Sequence, residues 1–167
     1  MAKYGVVRTD NMFGTDVRAG LVSVRYMNAE NEAAEIENGS VVKIEALAEG
    51  EREIYVAKDV AKNDEMKDIV LIAAPEVMYD ERLRNLDEFI NEAGKAVRGY
   101  RLHTGDIFSV TKEALAGVEA PAVGNVVELA AGTKLSVATE ASGATMVGKI
   151  IEVEIAGRHT FYAIKVD

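Results

Sequence analysis

The sequence predicts a mainly β protein: a small barrel or sandwich of short antiparallel strands, with one short helix and an extended N-terminal arm. Three observations carry this expectation. From residue 124 onward, short apolar and β-branched runs recur at roughly regular spacing with turn signals between them. The stretch 96–111, AVRGYRLHTGDIFSVT, reads as two strands joined at a tight turn, in which Gly105 can take positive φ and Asp106 can bond the turn backbone. Three segments share one pattern, a glycine and a small polar residue followed by two apolar ones: GSVVKIE from Gly39, GDIFSVT from Gly105 and GNVVEL from Gly124. Their spacing is irregular, so they read as turn glycines feeding strands and not as a solenoid repeat.

Composition sets the frame. A chain of 167 residues fits a single domain, or a domain with an appended segment, and can bury a substantial core. We divide it into an arm, residues 1–20, and a β-rich domain, residues 21–167. Aromatic residues make up 6% and Trp is absent, so Val, Ile, Leu and Ala must build the core. The net charge of −9 opposes approach to phosphate backbones and argues against nucleic-acid binding. That charge is uneven. Residues 1–29 carry Lys3, Arg8, Arg18 and Arg25 against Asp10 and Asp16, whereas residues 30–53 carry eight Glu against Lys43 and Arg52. Such asymmetry suggests two surfaces with different tasks. The absence of Cys excludes disulfides, thiolate zinc sites and Cys nucleophiles. No window approaches a membrane span and the start lacks a signal-peptide stretch, so synthesis in a cytoplasm and no membrane partner are expected.

Taken in order, residues 1–20 hold no lasting period of 2 or 3.6 but are too apolar for a free tail, with Tyr4, Val6, Val7, Met12 and Phe13. Two readings stand: an arm ordered against a partner, or a terminal segment lying on its own domain. Residues 21–27 alternate as a strand, with Val22, Val24 and Tyr26 on one face. Residues 28–38 are acidic, a loop or an exposed short helix. Asn38-Gly39 signals a turn into a strand over 40–47, with Val42, Ile44 and Ala46 inward, and 53–58 returns as its hairpin partner. Residues 59–68 read as a charged loop or a short helical turn. The continuous apolar run 69–74, ended by Pro75, reads as a buried strand. Asn85 and Glu88 have capping-box spacing for a short helix ending at Gly94, with Leu86, Phe89 and Ile90 on one face. Strands follow at 125–129, 134–139, 147–155 and 161–166, the last two joined as a hairpin through Ala156-Gly157-Arg158-His159. Ile151, Val153 and Ile155 alternate with Glu152 and Glu154, which predicts one buried and one wet face.

A search for chemistry finds little. His103 and His159 are the two histidines and both fall in predicted turns, where a solvated side chain is the expectation because neither has an identifiable orienting partner. The carboxylates Asp59, Asp64, Glu65 and Asp68 are interleaved with lysines and lack the glycine of a cation loop, so they read as solvated charge. Residues 10–16 have a superficial calcium-loop look without the required spacing. No phosphate loop or GxSxG setting occurs. No catalytic residue, metal or cofactor is expected.

Two stretches carry a resemblance: RGYRL at 98–102 with GDIFSVT at 105–111, and the β-rich C-terminal half ending HTFYAIK at 159–165. Over residues 85–167, and more loosely in the arm, the chain resembles the head decoration (capsid cement) proteins of tailed bacteriophages. The resemblance implies a non-enzymatic virion component on the capsid exterior, made in the host cytoplasm, with the major capsid protein as partner and a possible homo-oligomeric state. It also implies docking through the arm by Tyr4, Arg8, Met12, Phe13 and Arg18. Deleting residues 2–20 is then expected to abolish capsid binding and leave the domain folded. A tail or neck component, and a small oligomeric β-barrel enzyme or ligand-binding protein with an intersubunit site, are the alternatives.

Overall fold

The alternation of β-branched and polar residues is realised as eleven strands among the residues that the computed structural model describes, 3–8, 20–77 and 86–167. The first five are β1 (Leu21–Tyr26), β2 (Val41–Leu47), β3 (Ile54–Lys58), β4 (Ile69–Ile72) and β5 (Val97–Arg101). They close into a barrel in the order β1-β3-β2-β4-β5, with β5 pairing back to β1. Its pairs are antiparallel except β1–β3. The remaining strands are β6 (Ile107–Thr111), β7 (Leu115–Gly117), β8 (Val126–Glu128), β9 (Leu135–Ala138), β10 (Met146–Ala156) and β11 (His159–Val166). These form one sheet in the order β6-β11-β10-β8-β9-β7. Its two edge strands, β6 and β7, are joined by a single 3-10 turn, Lys112–Ala114, so the sheet curls toward itself. The mainly β expectation therefore holds, as a barrel fused to a curled sheet.

The apolar run of β4 has a direct cause. Ile69 and Leu71 belong to one core cluster and Val70 and Ile72 to another. β2 divides likewise, with Val41 in the first and Val42 and Ile44 in the second. Strands β2 and β4 are thus a wall between two cores, and a strand buried on both faces has no polar alternation. The barrel interior is filled by Val24, Val42, Ala57, Val70, Ile72 and Val97. The shared core joins Val41, Ile69 and Leu71 to Phe108, Val110, Leu135, Ile150 and Ile164 of the second sheet. Complete burial of each large aliphatic contributes about 1.5–3 kcal/mol, so this continuous core makes the two sheets one body. Backbone bonds reinforce the seam: Val41 N–H donates to Thr133 O (2.8 Å) and Thr145 N–H to Lys62 O (2.8 Å).

Several expectations are corrected. The two strands joined at a tight turn near residues 102–106 are present as expected, and they belong to different sheets, so that turn is a crossover. Leu102 drops into the shared core there, and His103 N–H donates to Asp106 Oδ2 at 2.9 Å. The short helix is a single 3-10 turn, Leu86–Glu88. Beyond it Asn91 bridges to Ile36 as a strand-like pair, and its amide donates to Ile36 O (2.8 Å) and Asn38 Oδ1 (3.1 Å). Asn85, the expected cap, lies outside the described residues. Ala46 is exposed, because the β2–β3 register shifts between Ile44 and Leu47.

The largest correction concerns β10. Ile151, Val153 and Ile155 are 42%, 39% and 79% exposed. A bulge between Ile150 and Glu152 shifts the register, and β8 accompanies β10 only over Met146, Gly148 and Lys149. Past that point β8 no longer flanks β10, while β11 stays paired with β6 as far as Phe161, so the ribbon formed by β10 and β11 has its free flank on the β10 side. The glycine-led segments behave as expected: Gly39, Gly105 and Gly124 have φ of 84°, 92° and 92° and precede β2, β6 and β8.

Candidate functional site

The arm residues divide between described and undescribed positions. Residues 3–8 lie along their own body. Val7 bridges antiparallel to Val110, Arg8 N–H donates to Ser109 O (3.0 Å), and Thr111 N–H donates to Val6 O (3.0 Å). Val6 and Val7 are 2% and 3% exposed, and Val7 is part of the shared core. The fit is tight: a Cβ on Gly5 would meet Asn38 O at 2.8 Å and Ala114 Cβ at 2.9 Å. Arg8 lies over the Phe161 ring and pairs with Glu154 at 3.0 Å. Tyr4 N–H donates to Asp87 O, and Lys3 stands over the Tyr4 ring. Tyr4 also lines a hollow of about 150 Å³ with Tyr26, Ile36, Glu37, Ser40 and Thr133, in which the buried Ser40 hydroxyl has no protein partner. Tyr4 and Arg8 thus sit at two separate places, the seam between sheets and the back of the β10–β11 ribbon. Met12, Phe13 and Arg18 lie outside the described residues, as does the calcium-like run 10–16. A deletion of 2–20 would remove core side chains along with any docking group.

His159 is not a solvated turn residue. It opens β11 with its side chain 12% exposed, and its Nε2 lies 3.0 Å from Asp87 Oδ1, while Arg158 Nη2 lies 2.7 Å from Asp87 Oδ2. The orienting partner that the sequence did not reveal is therefore Asp87, brought in by the 3-10 turn. Asp87 O also accepts from Lys3 N–H. The cluster fastens three chain segments at one point: the N-terminal segment, the 3-10 turn and the tip of the ribbon. A shallow hollow of about 210 Å³ lined by Thr111, Lys112, Glu113, Thr160 and Tyr162 adjoins it.

The acidic loop is also partly structural. Asp64 is held by Lys43 Nζ (2.6 Å) and by Ala61 N–H (2.7 Å). Burial works to raise its pKa, but these two donors outweigh burial and hold the carboxyl below its ordinary value. Tyr26 donates to Asp59 Oδ1 (2.5 Å), and partial burial, followed by that carboxylate, raises the phenol well above its ordinary range. Among the described residues no group of three or more His, Asp or Glu side chains is placed to hold a metal ion.

Two buried polar groups were not singled out from the sequence. Glu128 on β8 is 2% exposed and accepts from Ser142 N–H (2.9 Å) and Ser142 Oγ (2.6 Å), fixing the loop before β10. A lone Glu in the apolar run VVELA was the available signal. Asn38 is 1% exposed; its amide donates to Ala74 O (2.9 Å) and its Oδ1 accepts from Ala74 N–H (3.0 Å). A recess of about 510 Å³ lies at the barrel end among Leu21, Ser23, Pro75, Phe89, Lys95 and Arg98. No helix among the described residues is long and apolar enough to cross a membrane. Comparison with protein-family models, curated proteins and solved structures returns no match.

Proposed function

We propose that this chain is a non-enzymatic structural protein of a phage virion that binds the outer surface of the expanded capsid and stabilises the shell. The observation that carries this reading is the single core running from the barrel into the second sheet and taking in Val7. The buried polar groups Asn38, Glu128, Asp87 and Asp106 serve to fasten loops to that body. Such a construction offers stiff outer faces for recognition. The strand-and-turn resemblance to capsid decoration proteins supplies the partner, a capsid subunit. A protein that binds the expanded lattice and not its precursor stabilises that lattice by mass action, and a repeating array lets modest contacts act together.

Co-sedimentation with expanded and unexpanded phage shells tests the reading. Saturable pelleting with the expanded shells alone is expected, and equal failure with both refutes it. The barrel-end recess favours a second reading as a ligand-binding protein, since its volume lies in the range of small-molecule sites. A ligand-dependent rise in melting temperature, abolished by Arg98→Ala, would select that reading instead.

A further inference from the structure

Strand β10 is eleven residues long, yet its pairing with β8 stops at Lys149. Over residues 151–156 its one strand partner among the described residues is β11. The turn at Gly157-Arg158 holds two residues, with Ala156 opposite His159. In such a hairpin the flanking pair is hydrogen-bonded, and bonded and non-bonded pairs then alternate along the ladder. Glu154–Phe161 and Glu152–Ala163 are therefore bonded pairs, and the peptide groups of Val153 and Ile155 point away from β11. The outer edge consequently offers N–H and C=O groups beside exposed apolar side chains. Such an edge is a template for one more strand.

Its charge decides which strand. Glu154 already pairs with Arg8 at 3.0 Å, so Glu152 is the carboxylate the edge offers to a newcomer, and a second copy of a chain of net charge −9 would bring a like-charged body to it. A basic residue opposite Glu152 meets complementary charge, while apolar residues alternate onto Ile151, Val153 and Ile155. We propose that the free edge of β10 at residues 151–156 docks an extended segment of a partner protein in which apolar and basic residues alternate. This deepens the shell-binding reading by naming the surface used, and rests on that reading for the partner's identity alone.

The test uses the full chain and a labelled peptide of alternating Val and Lys, with alternating Val and Glu as control. Amide exchange at Val153 and Ile155 should be fast in the free protein and slow with the Val-Lys peptide; protection in the free protein would mean the edge is already covered and overturns the proposal. Fluorescence anisotropy should show saturable binding of the Val-Lys peptide alone. Val153→Pro removes an outward N–H without touching the β11 ladder and should abolish binding. Glu152→Lys, a surface change that preserves folding, should weaken it about fivefold at low salt. Equal binding of both peptides, or unchanged affinity in both variants, overturns the proposal. So does a concentration-dependent dimer that Val153→Pro dissolves, which assigns the edge to a second copy. Shell co-sedimentation separates the two readings: wild type and both variants pelleting alike would sink the edge and leave shell binding standing. Failure of wild type to pellet would sink shell binding while the peptide result still decides the edge.

Discussion

Closure of the first barrel depends on Gly99, and replacing it gives a quantitative check on the packing described here. Gly99 lies on β5 opposite Val22 of β1 and Ile72 of β4, so both neighbours constrain its backbone. A Cβ at this position would stand 2.2 Å from Val70 Cγ1 and 3.5 Å from Val22 Cγ2. The first distance is far inside van der Waals contact. Val70 is fully buried, and its β-branched side chain has no easy rotamer escape. Gly99→Ala should therefore cost about 2–3 kcal/mol, the upper part of the overpacking range. Val70→Ala removes two buried methyl groups and should cost about 1–3 kcal/mol through lost transfer energy and the cavity left behind. Together, the new methyl occupies part of the space vacated. The double variant should then be more stable than the sum of the single losses by about 1–2 kcal/mol. Urea unfolding of the four proteins measures the cycle, and thermal melts should show Gly99→Ala lowered by roughly 4–12 °C. A neutral Gly99→Ala, or single effects that add within about 0.5 kcal/mol, would refute the claim that these two residues of neighbouring strands are in contact.

Three further outcomes are expected. Glu128→Ala should lose about 2–4 kcal/mol, because a buried charged acceptor and its two Ser142 bonds disappear, whereas Ser142→Ala should lose about 1 kcal/mol; urea melts and amide exchange at Ser142 report both. Asp64 has a depressed pKa in the folded state, so its stabilising effect is present above the ordinary value of 3.8 and is lost as pH falls through the folded value. The gap between wild type and Asp64→Asn should be about 0.5–1 kcal/mol near neutrality and vanish in acid; a gap independent of pH would show that the Lys43 pair contributes nothing. Tyr26 has a raised pKa, so its contribution is intact below its ordinary value of 10.0 and is lost as pH rises from there toward the folded value. Tyr26→Phe should therefore flatten the alkaline arm of the stability profile, and an unchanged arm would count against the Asp59 bond.

What the sequence disclosed follows from the range of each interaction. The turn glycines, the β10–β11 hairpin and the buried run of β4 were legible because their causes are local: a positive φ, a two-residue loop, and an apolar run too short for a helix. The partition of β5 and β6 into different sheets was not, since alternation records which face a residue uses and not which neighbour it pairs with. The capping-box spacing at Asn85 and Glu88 was outweighed by the Asn91–Ile36 bridge, a contact across fifty-five residues that no local pattern registers. His159 looked solvated because Asp87 lies far away in sequence. The stripe on β10 was misplaced by one bulged residue, which shifts pairing register while leaving the written alternation intact.

The position of β11 has a consequence for how the protein is made. It is the last strand in chain order, yet it lies inside the second sheet, between β6 and β10. Val7, near the opposite end of the sequence, seals the outer side of β6. As the ribosome delivers the chain, the first barrel has all five of its strands once residue 101 has emerged. The second sheet lacks this interior strand until synthesis passes Val166. Until then β6 and β10 each present an unpaired flank, and the early valines have no settled berth. Maturation should therefore proceed in two stages, with a vulnerable half-built species between them whose lifetime is set by translation and by slow long-range strand pairing.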